Sequence, residues 1–467
     1  MRPNILFIMT DEQRFDTLGA VNPAVRTPVL DQLAEEGILF TRAYTTNPSC
    51  VPARAAINTG RYPSKCGAPT YITHLPSSEV TFTSLLQQQG YHTAVLGKQH
   101  FGDSLIDQGY DHADIIDLHG PGEWERSGES ETSYMKFLKA SGFTKTSEFS
   151  EPVNRFCRRW TADVKYHIDD YIGELGKSWI RHQRPVDKPW YCCVSFPGPH
   201  MPFDGAGLPQ EEAYRLEQID LPLTSEGDLD GKPPHFKEQL RTGQGNPGGA
   251  NAFGMTEQEL KETRLTYYAN MTLIDQKIGE IIAELKAVGE YDNTLILFTS
   301  DHGEYMGDFG MMGKGQYLSE VLMRVPFIVK PPGSGFAGRT EEAFVSNLDI
   351  AATCLRAAGA EVPERMDSVD LNPFWERPPA APRRETMYME AGDLRAVRTE
   401  EWKLVYYRGR PYGELYHIKE DPWERYNRWE DAAAAGVKEQ LKTLLIDELL
   451  ALGECSCMPW NYGAPQI

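Results

Sequence analysis

The chain opens with Asn4-Ile-Leu-Phe-Ile-Met9, a nearly unbroken apolar run that leads directly into Thr10-Asp11-Glu12. A short run of this kind, rich in large apolar residues, is typical of a strand that is buried on both faces of a parallel sheet. The polar residues after it would lie at the carboxyl end of that strand, where open α/β sheets bind their ligands. This stretch therefore predicts the fold class and one part of a functional site.

Four further apolar runs repeat this pattern over the first 360 residues. They are Thr93–Leu96, Trp190–Phe196, Thr294–Thr299 and Pro326–Lys330. Helical patterns alternate with them. Thr27 and Pro28 begin a helix that Gly37 ends, and the capping box Thr256–Glu259 begins a longer helix that stops at Gly289. Because buried strands that alternate with helices pack as layers, we expect an α/β fold with a large mixed, mostly parallel sheet sandwiched by helices.

The pattern changes in the last quarter of the chain. Residues 362–384 are rich in proline and weakly patterned, which indicates a linker between a large α/β domain (1–361) and a smaller C-terminal α+β subdomain (385–467). Three short antiparallel strands and one amphipathic helix are predicted there: Arg395–Thr399, Trp402–Tyr407, Glu414–His417 and Val437–Leu452. The aromatic tail, residues 453–467, is predicted to dock on its own or a neighbouring subunit, and docking on a neighbouring subunit would give a homo-oligomer.

Two long stretches, residues 103–160 and 203–253, break the alternation. Both are rich in glycine, proline and charge, so we expect long loops or insertions. Loops of that size commonly shape a substrate pocket.

Composition excludes several classes of protein. Asp and Glu outnumber Lys and Arg by 67 to 47, a net charge of −20; since nucleic-acid affinity comes from neutralising phosphates, we expect no nucleic-acid partner. The first apolar run is too short for a signal-peptide core, and we see no bilayer-spanning segment. We therefore expect a cytoplasmic protein without a membrane partner.

Two polar clusters follow predicted strands. Asp11 and Glu12 come after the first strand, and Ser300-Asp301-His302-Gly303 comes after the strand that ends at Thr299. Because ligands bind outside the carboxyl ends of such strands, the two clusters are expected to face one crevice. Three carboxylates and an imidazole suit a divalent cation such as Ca²⁺, Mg²⁺ or Mn²⁺.

Cys50 lies between these clusters in the chain. Pro52 suits the first turn of a helix that Gly60 would end, so Cys50 would stand at or just before a helix N-terminus. There the unpaired N–H groups and the helix dipole favour an anion. A lone cysteine is more often a buried apolar residue, but the pattern Cys50-x-Pro52-x-Arg54 favours a functional one.

This pattern, with Thr59-Gly60 after it, resembles the formylglycine signature of the type I sulfatases, in the alkaline phosphatase superfamily. Further motifs appear in the family's order over almost the whole chain: Asp11–Arg14, Gly97–His100, Pro199–Phe203, Thr299–Gly303 and Lys314. The resemblance implies a metal-dependent hydrolase of sulfate esters, with a small-molecule or saccharide sulfate as substrate.

The resemblance also implies a role for each residue. A formylglycine-generating or anaerobic maturation enzyme would convert Cys50 to formylglycine, whose hydrated aldehyde supplies the nucleophilic oxygen. One divalent metal ion, for which we favour Ca²⁺ over Mn²⁺ or Mg²⁺, would be held by an oxygen of residue 50 and by four side chains: Asp11, Glu12, Asp301 and His302.

Five further residues would complete the catalytic set. Arg54 and Lys98 would position the nucleophile and balance its charge. Lys98, His200 and Lys314 would contact the sulfuryl oxygens, with His200 or Lys314 as the acid toward the leaving oxygen. His100 would be the base that expels sulfate and regenerates the aldehyde.

Two departures from the family keep alternatives open. Val51 stands where the family usually has a small residue, and His302, where many arylsulfatases have asparagine, also occurs in phosphonate monoester hydrolases. The first alternative is therefore a phosphonate monoester or phosphodiester hydrolase with the same nucleophile. The second is a non-catalytic binding protein in which Cys50 stays unmodified.

Overall fold

A computed structural model describes residues 2–101, 108–117, 132–144, 148–225, 227–242, 249–376 and 383–454. The strands in this part of the chain are β1 (Asn4–Thr10), β2 (Ile38–Phe40), β3 (Ala43–Tyr44), β4 (His92–Gly97), β5 (His112–Ile115), β6 (Ser150–Pro152), β7 (Cys157–Trp160), β8 (Trp190–Ser195), β9 (Phe203–Ala206), β10 (Gly249–Asn251), β11 (Thr294–Ser300), β12 (Met311–Gly313), β13 (Phe327–Lys330), β14 (Arg339–Glu341), β15 (Val345–Ser346), β16 (Met387–Ala391), β17 (Leu394–Arg398), β18 (Trp402–Tyr407) and β19 (Gly413–His417).

The α-helices are α1 (Pro28–Glu35), α2 (Cys50–Thr59), α3 (Pro63–Cys66), α4 (Phe82–Gln88), α5 (Ser133–Ala140), α6 (Ile168–Ser178), α7 (Pro234–Thr242), α8 (Glu257–Ala287), α9 (Glu320–Met323), α10 (Ile350–Ala357), α11 (Pro373–Glu376) and α12 (Ala435–Glu454). None of the helices in the described ranges is long and apolar enough to cross a lipid bilayer.

Eight strands form the central sheet, in the order β14-β2-β13-β11-β1-β8-β4-β5. Only β13 runs antiparallel to its neighbours, so the sheet is mixed and mostly parallel. The five predicted strands are confirmed as β1, β4, β8, β11 and β13. The sequence did not indicate β2 and β14, because a strand of three residues is too short to show a pattern, or β5, because His112-Ala-Asp-Ile115 is not a continuous apolar run.

Helices cover both faces of this sheet, as predicted. Leu6 and Ile8 of β1 pack in one apolar core with α1, α6 and α8. Ile5 and Phe7, which point the other way, pack in a second core with α4 and α10. The alternation along β1 therefore places a core on each side of the sheet.

The predicted capping box of α8 is present. Thr256 Oγ1 accepts from the backbone N–H of Glu259 at 3.2 Å, and the Glu259 carboxylate accepts from the backbone N–H of Thr256 at 2.8 Å. Thr27 precedes α1 as expected, but its side chain does not cap the helix. Its hydroxyl instead accepts from the N–H of Gly19 at 2.7 Å, tying the preceding turn to the helix.

The two stretches predicted as long loops or insertions contain regular structure, so the loop reading is wrong for their described residues. Residues 103–160 include β5, α5, β6 and β7, and residues 203–253 include β9, α7 and β10. Their strands belong mainly to small sheets, such as β6-β7-β9. Segments of three or four residues among glycines and prolines carry too little periodicity to be recognised.

The C-terminal part forms the predicted antiparallel sheet, with four strands rather than three. The order is β16-β17-β18-β19, and α12 packs against it through Leu441 and Leu445. The sequence missed β16. The short helix α11 lies in the predicted linker, and the boundaries of the domains stay predictions. The tail residues 455–467, to which the oligomer prediction refers, lie outside the described residues.

Buried charges join this sheet to α9, which precedes β13 of the central sheet. Lys403 Nζ lies 3.1 Å from Glu320 Oε1 and 2.8 Å from Glu424 Oε1, and all three side chains are buried. Burial raises the pKa of Glu320, but Lys403 and Arg398 outweigh it and lower the pKa to about 2. The carboxylate is therefore ionised and depends on its cations.

We predict that Lys403→Met lowers the free energy of unfolding by about 3 kcal/mol, because it leaves two buried carboxylates without their main cation. Denaturant unfolding measures this loss. Lys419→Met is the matched control, since Lys419 is exposed and lies 4.0 Å from Glu401; it should cost less than about 0.5 kcal/mol. Equal effects of the two variants would contradict the prediction.

Candidate active site

The carboxyl ends of four parallel strands carry the candidate site. Thr10, the last residue of β1, pairs in register with Ser300, the last residue of β11. Asp11 and Asp301 follow these two residues and are therefore brought side by side. Lys98 follows β4, which lies on the other side of β1 beyond β8. The strand register thus joins residues that are up to 290 positions apart in the chain.

The helix α2 aims Cys50 at this edge. It begins at Cys50, as predicted, and ends before Gly60, whose φ of 64° lies in the left-handed region that favours glycine. Cys50 Sγ lies 3.5 Å from Asp11 Oδ1 and 3.1 Å from His302 Nε2. The sulfur atom therefore stands among the candidate metal ligands.

Arg54, one turn further along α2, holds the surrounding groups together. Its Nε donates to Asp301 Oδ2 at 2.7 Å and its Nη2 to Asp11 Oδ2 at 3.0 Å. Its Nη1 donates to the Lys98 carbonyl at 2.8 Å and to Ser195 Oγ at 3.0 Å. One guanidinium therefore contacts the residues that follow β1, β4 and β11 and the last residue of β8.

The aspartate at the centre is ionised. Burial and the neighbouring Cys50 sulfur raise the pKa of Asp11, but Lys98 and Arg54 outweigh them and hold this pKa well below its usual value. Lys98 forms a salt bridge with Asp11 Oδ2, and both side chains are fully buried.

Lys98 and two further basic groups stabilise an anion at position 50. Burial raises the pKa of the Cys50 thiol, but Lys314, His302 and Lys98 lower it, and a hydrogen bond with His100 lowers it further. The net pKa is well below that of a free cysteine. A negatively charged atom is therefore favoured at the N-terminus of α2.

Four residues place potential ligand atoms within 4.8 Å of one another: Asp11, Cys50, Asp301 and His302. His302 Nδ1 donates to the Gly303 carbonyl at 2.9 Å, so Nε2, which faces Cys50, is the ring atom that would serve as a metal ligand once it has lost its proton. Asp301 Oδ1 accepts from the backbone N–H groups of Glu12 and His302 at 3.0 and 2.9 Å, which fixes its carboxylate.

Glu12 lies on the other side of Asp11, in a second group that also contains His200. Its Oε2 is 3.1 Å from His200 Nε2 and 3.2 Å from Lys314 Nζ, while its buried Oε1 accepts no hydrogen bond. Burial raises the pKa of Glu12 well above its usual value; Lys314 opposes this and Glu304 adds to it. An unsatisfied buried carboxylate oxygen beside two aspartates fits a site for a divalent cation.

Two candidate residues have strained backbones. Glu12 has a φ of 63° and His100 a φ of 51°, both in the left-handed region that non-glycine residues rarely occupy. Asp117 Oδ1 accepts from the N–H groups of Gln99 at 2.6 Å and His100 at 3.0 Å, and so holds the backbone in place at His100. Such strain persists where surrounding contacts impose it, as is common at active sites.

All predicted site residues therefore lie in one region. Asp11, Cys50, Arg54, Lys98, Asp301 and His302 form a buried centre, and His200 and Lys314 lie next to it, 2.7 Å apart from Nε2 to Nζ. The hydrogen bond to Cys50 places His100 at the same centre.

Sequence reasoning missed several supporting residues. Asp117 holds the turn of His100, Ser195 accepts from Arg54, and Tyr267 donates from its hydroxyl to the Glu12 carbonyl at 2.7 Å. One sequence signal could have indicated Asp117, because an acidic residue directly after the apolar pair Ile115-Ile116 is a pattern expected at the end of a strand. Tyr267 had none, because it lies within a helix and its partner is 255 residues away.

Known protein families and solved structures resemble this chain over most of its length. The sequence model of the Sulfatase family matches residues 3–360, and that of the N-sulphoglucosamine sulphohydrolase C-terminal region matches residues 307–450. An N-acetylglucosamine-6-O-sulfatase of Bacteroides thetaiotaomicron is 27% identical over 95% of this chain and 86% of its own.

Solved structures share the fold. A protein in complex with its substrate D-glucosamine-2-N,6-O-disulfate aligns with a TM-score of 0.77 and 23% identity, over 97% of this chain and 99% of its own. A phosphonate monoester hydrolase of Agrobacterium radiobacter aligns with a TM-score of 0.81 and 26% identity, over 97% and 96%. Because the first family model alone spans more than three quarters of the residues, the chain belongs to the sulfatase family, enzymes that hydrolyse sulfate esters.

Proposed function

We propose that the protein is a metal-dependent sulfatase in which formylglycine, formed from Cys50, attacks the sulfur atom of a saccharide or other small sulfate ester. The observation that carries this proposal is the position of Cys50 Sγ, 3.1 Å from His302 Nε2 and 3.5 Å from Asp11 Oδ1, among three cations. The sulfur stands where an oxygen of the modified side chain would lie.

Maturation of Cys50 requires access that the folded chain does not provide. Every residue of α2 is buried, and the exposed fraction of Cys50 is 4%. A formylglycine-generating or anaerobic maturation enzyme would therefore act on this segment before α2 packs against the sheet.

The donor set supports one divalent cation. Asp11, Glu12, Asp301 and His302 would hold it together with an oxygen of residue 50. A set rich in carboxylate oxygens suits Ca²⁺, Mn²⁺ or Mg²⁺, and of these we propose Ca²⁺. When bound, such an ion lowers the proton affinity of the hydroxyl on residue 50 and neutralises the charge of the ester oxygens.

The cations beside the centre would bind the sulfuryl group. Lys98 and Lys314 lie near Cys50 and His200 lies beside Lys314, so the three side chains would supply N–H donors for the ester oxygens. His200 Nδ1 donates to the Met201 carbonyl at 2.5 Å, so its Nε2 faces Lys314 Nζ. A proton on Lys314 or on His200 Nε2 can then pass to the leaving oxygen as the S–O bond breaks.

Release of sulfate needs a base. Attack by one hydroxyl of the hydrated aldehyde forms a new S–O bond and leaves a sulfated residue 50 that keeps its second hydroxyl. His100 takes the proton of that hydroxyl, the aldehyde C=O re-forms, and the bond from carbon to the sulfate oxygen breaks. Arg54 holds the acidic residues in place throughout.

A phosphonate monoester or phosphodiester hydrolase with the same nucleophile is the second candidate. The TM-score of 0.81 to a phosphonate monoester hydrolase at 26% identity favours it, and sulfuryl and phosphoryl transfer need the same kind of cationic clamp. A binding protein with unmodified Cys50 is the non-catalytic alternative. Cytoplasmic location and assembly through residues 453–467 stay predictions.

The rates at which the protein cleaves a sulfate ester and a phosphonate ester test the reaction class. On one matured preparation, we expect kcat/KM for 4-nitrophenyl sulfate to exceed that for 4-nitrophenyl phenylphosphonate by at least about tenfold, a difference of about 1.4 kcal/mol in activation free energy. The two substrates share a leaving group, so the comparison isolates the transferred group. Faster cleavage of the phosphonate would make the second candidate the function.

Mass spectrometry of the Cys50 peptide tests the nucleophile. In protein produced together with a maturation enzyme, we expect the mass of an aldehyde at position 50, whereas the Cys66 peptide of the same digest keeps its thiol and serves as an internal control. Cys50→Ala should abolish turnover and retain the far-ultraviolet circular dichroism of the parent. A persistent thiol at position 50 would leave the non-catalytic binding protein as the remaining candidate function.

His100→Ala should stop the reaction after its first half. Since the base for sulfate release is lost, we expect a burst of about one leaving group per active site and a stable sulfated residue 50, seen as an added sulfate on the intact protein. His92→Ala, a substitution outside the site, is the matched control and should turn over normally. Multiple turnovers by His100→Ala at the parent rate would refute the assigned role.

A further inference from the structure

The cationic clamp consists of Lys98, His200 and Lys314, the three side chains that would bind the sulfuryl group. A cavity of about 300 Å³ lies directly beside it. Six residues line it: Arg155, Phe156, His200, Met201, Pro202 and Lys314. This volume is at the small end of the range for ligand pockets and suits one six-membered ring.

The exposure of the neighbouring side chains shows on which side of the clamp the cavity lies. The side chains of His200 and Lys314 are 15% and 10% exposed, whereas that of Glu12 behind them is fully buried. The cavity therefore lies on the outer side of the clamp. If the sulfuryl group is held as in the proposed function, on which this inference rests, the rest of the ester extends into the cavity.

The outer wall is a rigid hairpin tip between β6 and β7. Asn154 Oδ1 accepts from the backbone N–H groups of Phe156 and Cys157, both at 2.9 Å. The Phe156 carbonyl accepts from the N–H of Phe203 at 2.8 Å, which ties the tip to the segment that carries His200. The wall is therefore built in place before a ligand binds, which reduces the entropy cost of binding.

The wall combines an apolar surface with one cation. Phe156, Met201 and Pro202 supply the apolar part, and the Arg155 guanidinium lies 5.3 Å from the centre of the Phe156 ring. Arg155 Nη2 donates to the Phe253 carbonyl at 2.8 Å, which orients the group and leaves other N–H donors for a ligand. Among the described residues, no carboxylate lies within salt-bridge distance of Arg155.

We propose that this cavity binds the ring of the leaving group, and that Arg155 selects rings that carry a second anionic substituent, a carboxylate or a sulfate. Phe156 packs against the face of the ring, and the guanidinium pairs with the anion at its edge. In a protein of net charge −20, a cation beside the clamp also offsets the repulsion that a doubly charged substrate would meet. Arg155 is thus a specificity-determining residue.

Three probes separate ring binding from anion binding: ethyl sulfate, phenyl sulfate and 4-(carboxymethyl)phenyl sulfate. The methylene group keeps the leaving-group basicity of the two phenols similar, so the pair differs mainly in the added charge. A fourth probe, 4-(sulfomethyl)phenyl sulfate, shows whether a sulfonate, which has the geometry of a sulfate, is preferred to a carboxylate. Calorimetry on Cys50→Ala measures binding without turnover, and kcat/KM is measured on the matured protein.

We expect binding to strengthen from ethyl sulfate to phenyl sulfate and again, by about tenfold, to the charged rings. Arg155→Ala should reduce the ratio between charged and uncharged ring to about one. Phe156→Leu should weaken binding of all three rings relative to ethyl sulfate. Arg159→Ala is the matched control, because Arg159 lies on the same hairpin but does not line the cavity; it should keep the ratio of the parent.

The two proposals fail differently. An unchanged ratio in Arg155→Ala, or an equal loss in Arg159→Ala, would overturn the inference and leave sulfatase activity untouched. The expected binding pattern without cleavage of any sulfate ester by matured protein would support the cavity and overturn the proposed function.

Discussion

The contact of Arg54 with Asp11 and Asp301 is the interaction on which the site depends. Two buried carboxylates at adjacent strand ends would repel each other and pay a large desolvation cost unless a cation lies between them. The planar guanidinium meets both at once, at 3.0 and 2.7 Å. Because Arg54 lies one turn after Cys50 on α2, the same contact sets how far the helix N-terminus approaches the sheet.

Charge in this centre is arranged in alternating sign. Asp11 lies between Arg54 and Lys98, and Glu12 lies beside Lys314. The cations keep Asp11 ionised and favour an anion at residue 50, so the centre suits both a divalent cation and an anionic ester. The three buried cations Arg54, Lys98 and Lys314 balance the three carboxylates Asp11, Glu12 and Asp301, so a bound divalent cation would give the local field the sign that an anionic substrate needs.

Rigidity and strain occur together at the edge of the centre. The left-handed backbones of Glu12 and His100 are maintained by hydrogen bonds to Asp301 and Asp117. The hairpin tip at Arg155 and Phe156 is likewise fixed by Asn154 and by the backbone of Phe203. Both features place side chains before a ligand arrives, and this preorganisation is what a transition-state clamp requires.

The sequence by itself determined the layered α/β fold, the start of α2 at Cys50 and the capping box at Thr256, because each follows from short-range periodicity or helix-end chemistry. The motifs also indicated the site residues from Asp11 to Lys314. The tertiary structure alone decided which groups meet. Four contacts join distant segments of the chain. They are the register of Thr10 with Ser300, the hydrogen bond of Asp117 to the His100 backbone, the hydrogen bond of Tyr267 to Glu12 and the position of Arg155 beside the clamp. Such contacts leave no trace in local sequence, since their geometry is set by sheet pairing and packing rather than by neighbouring residues.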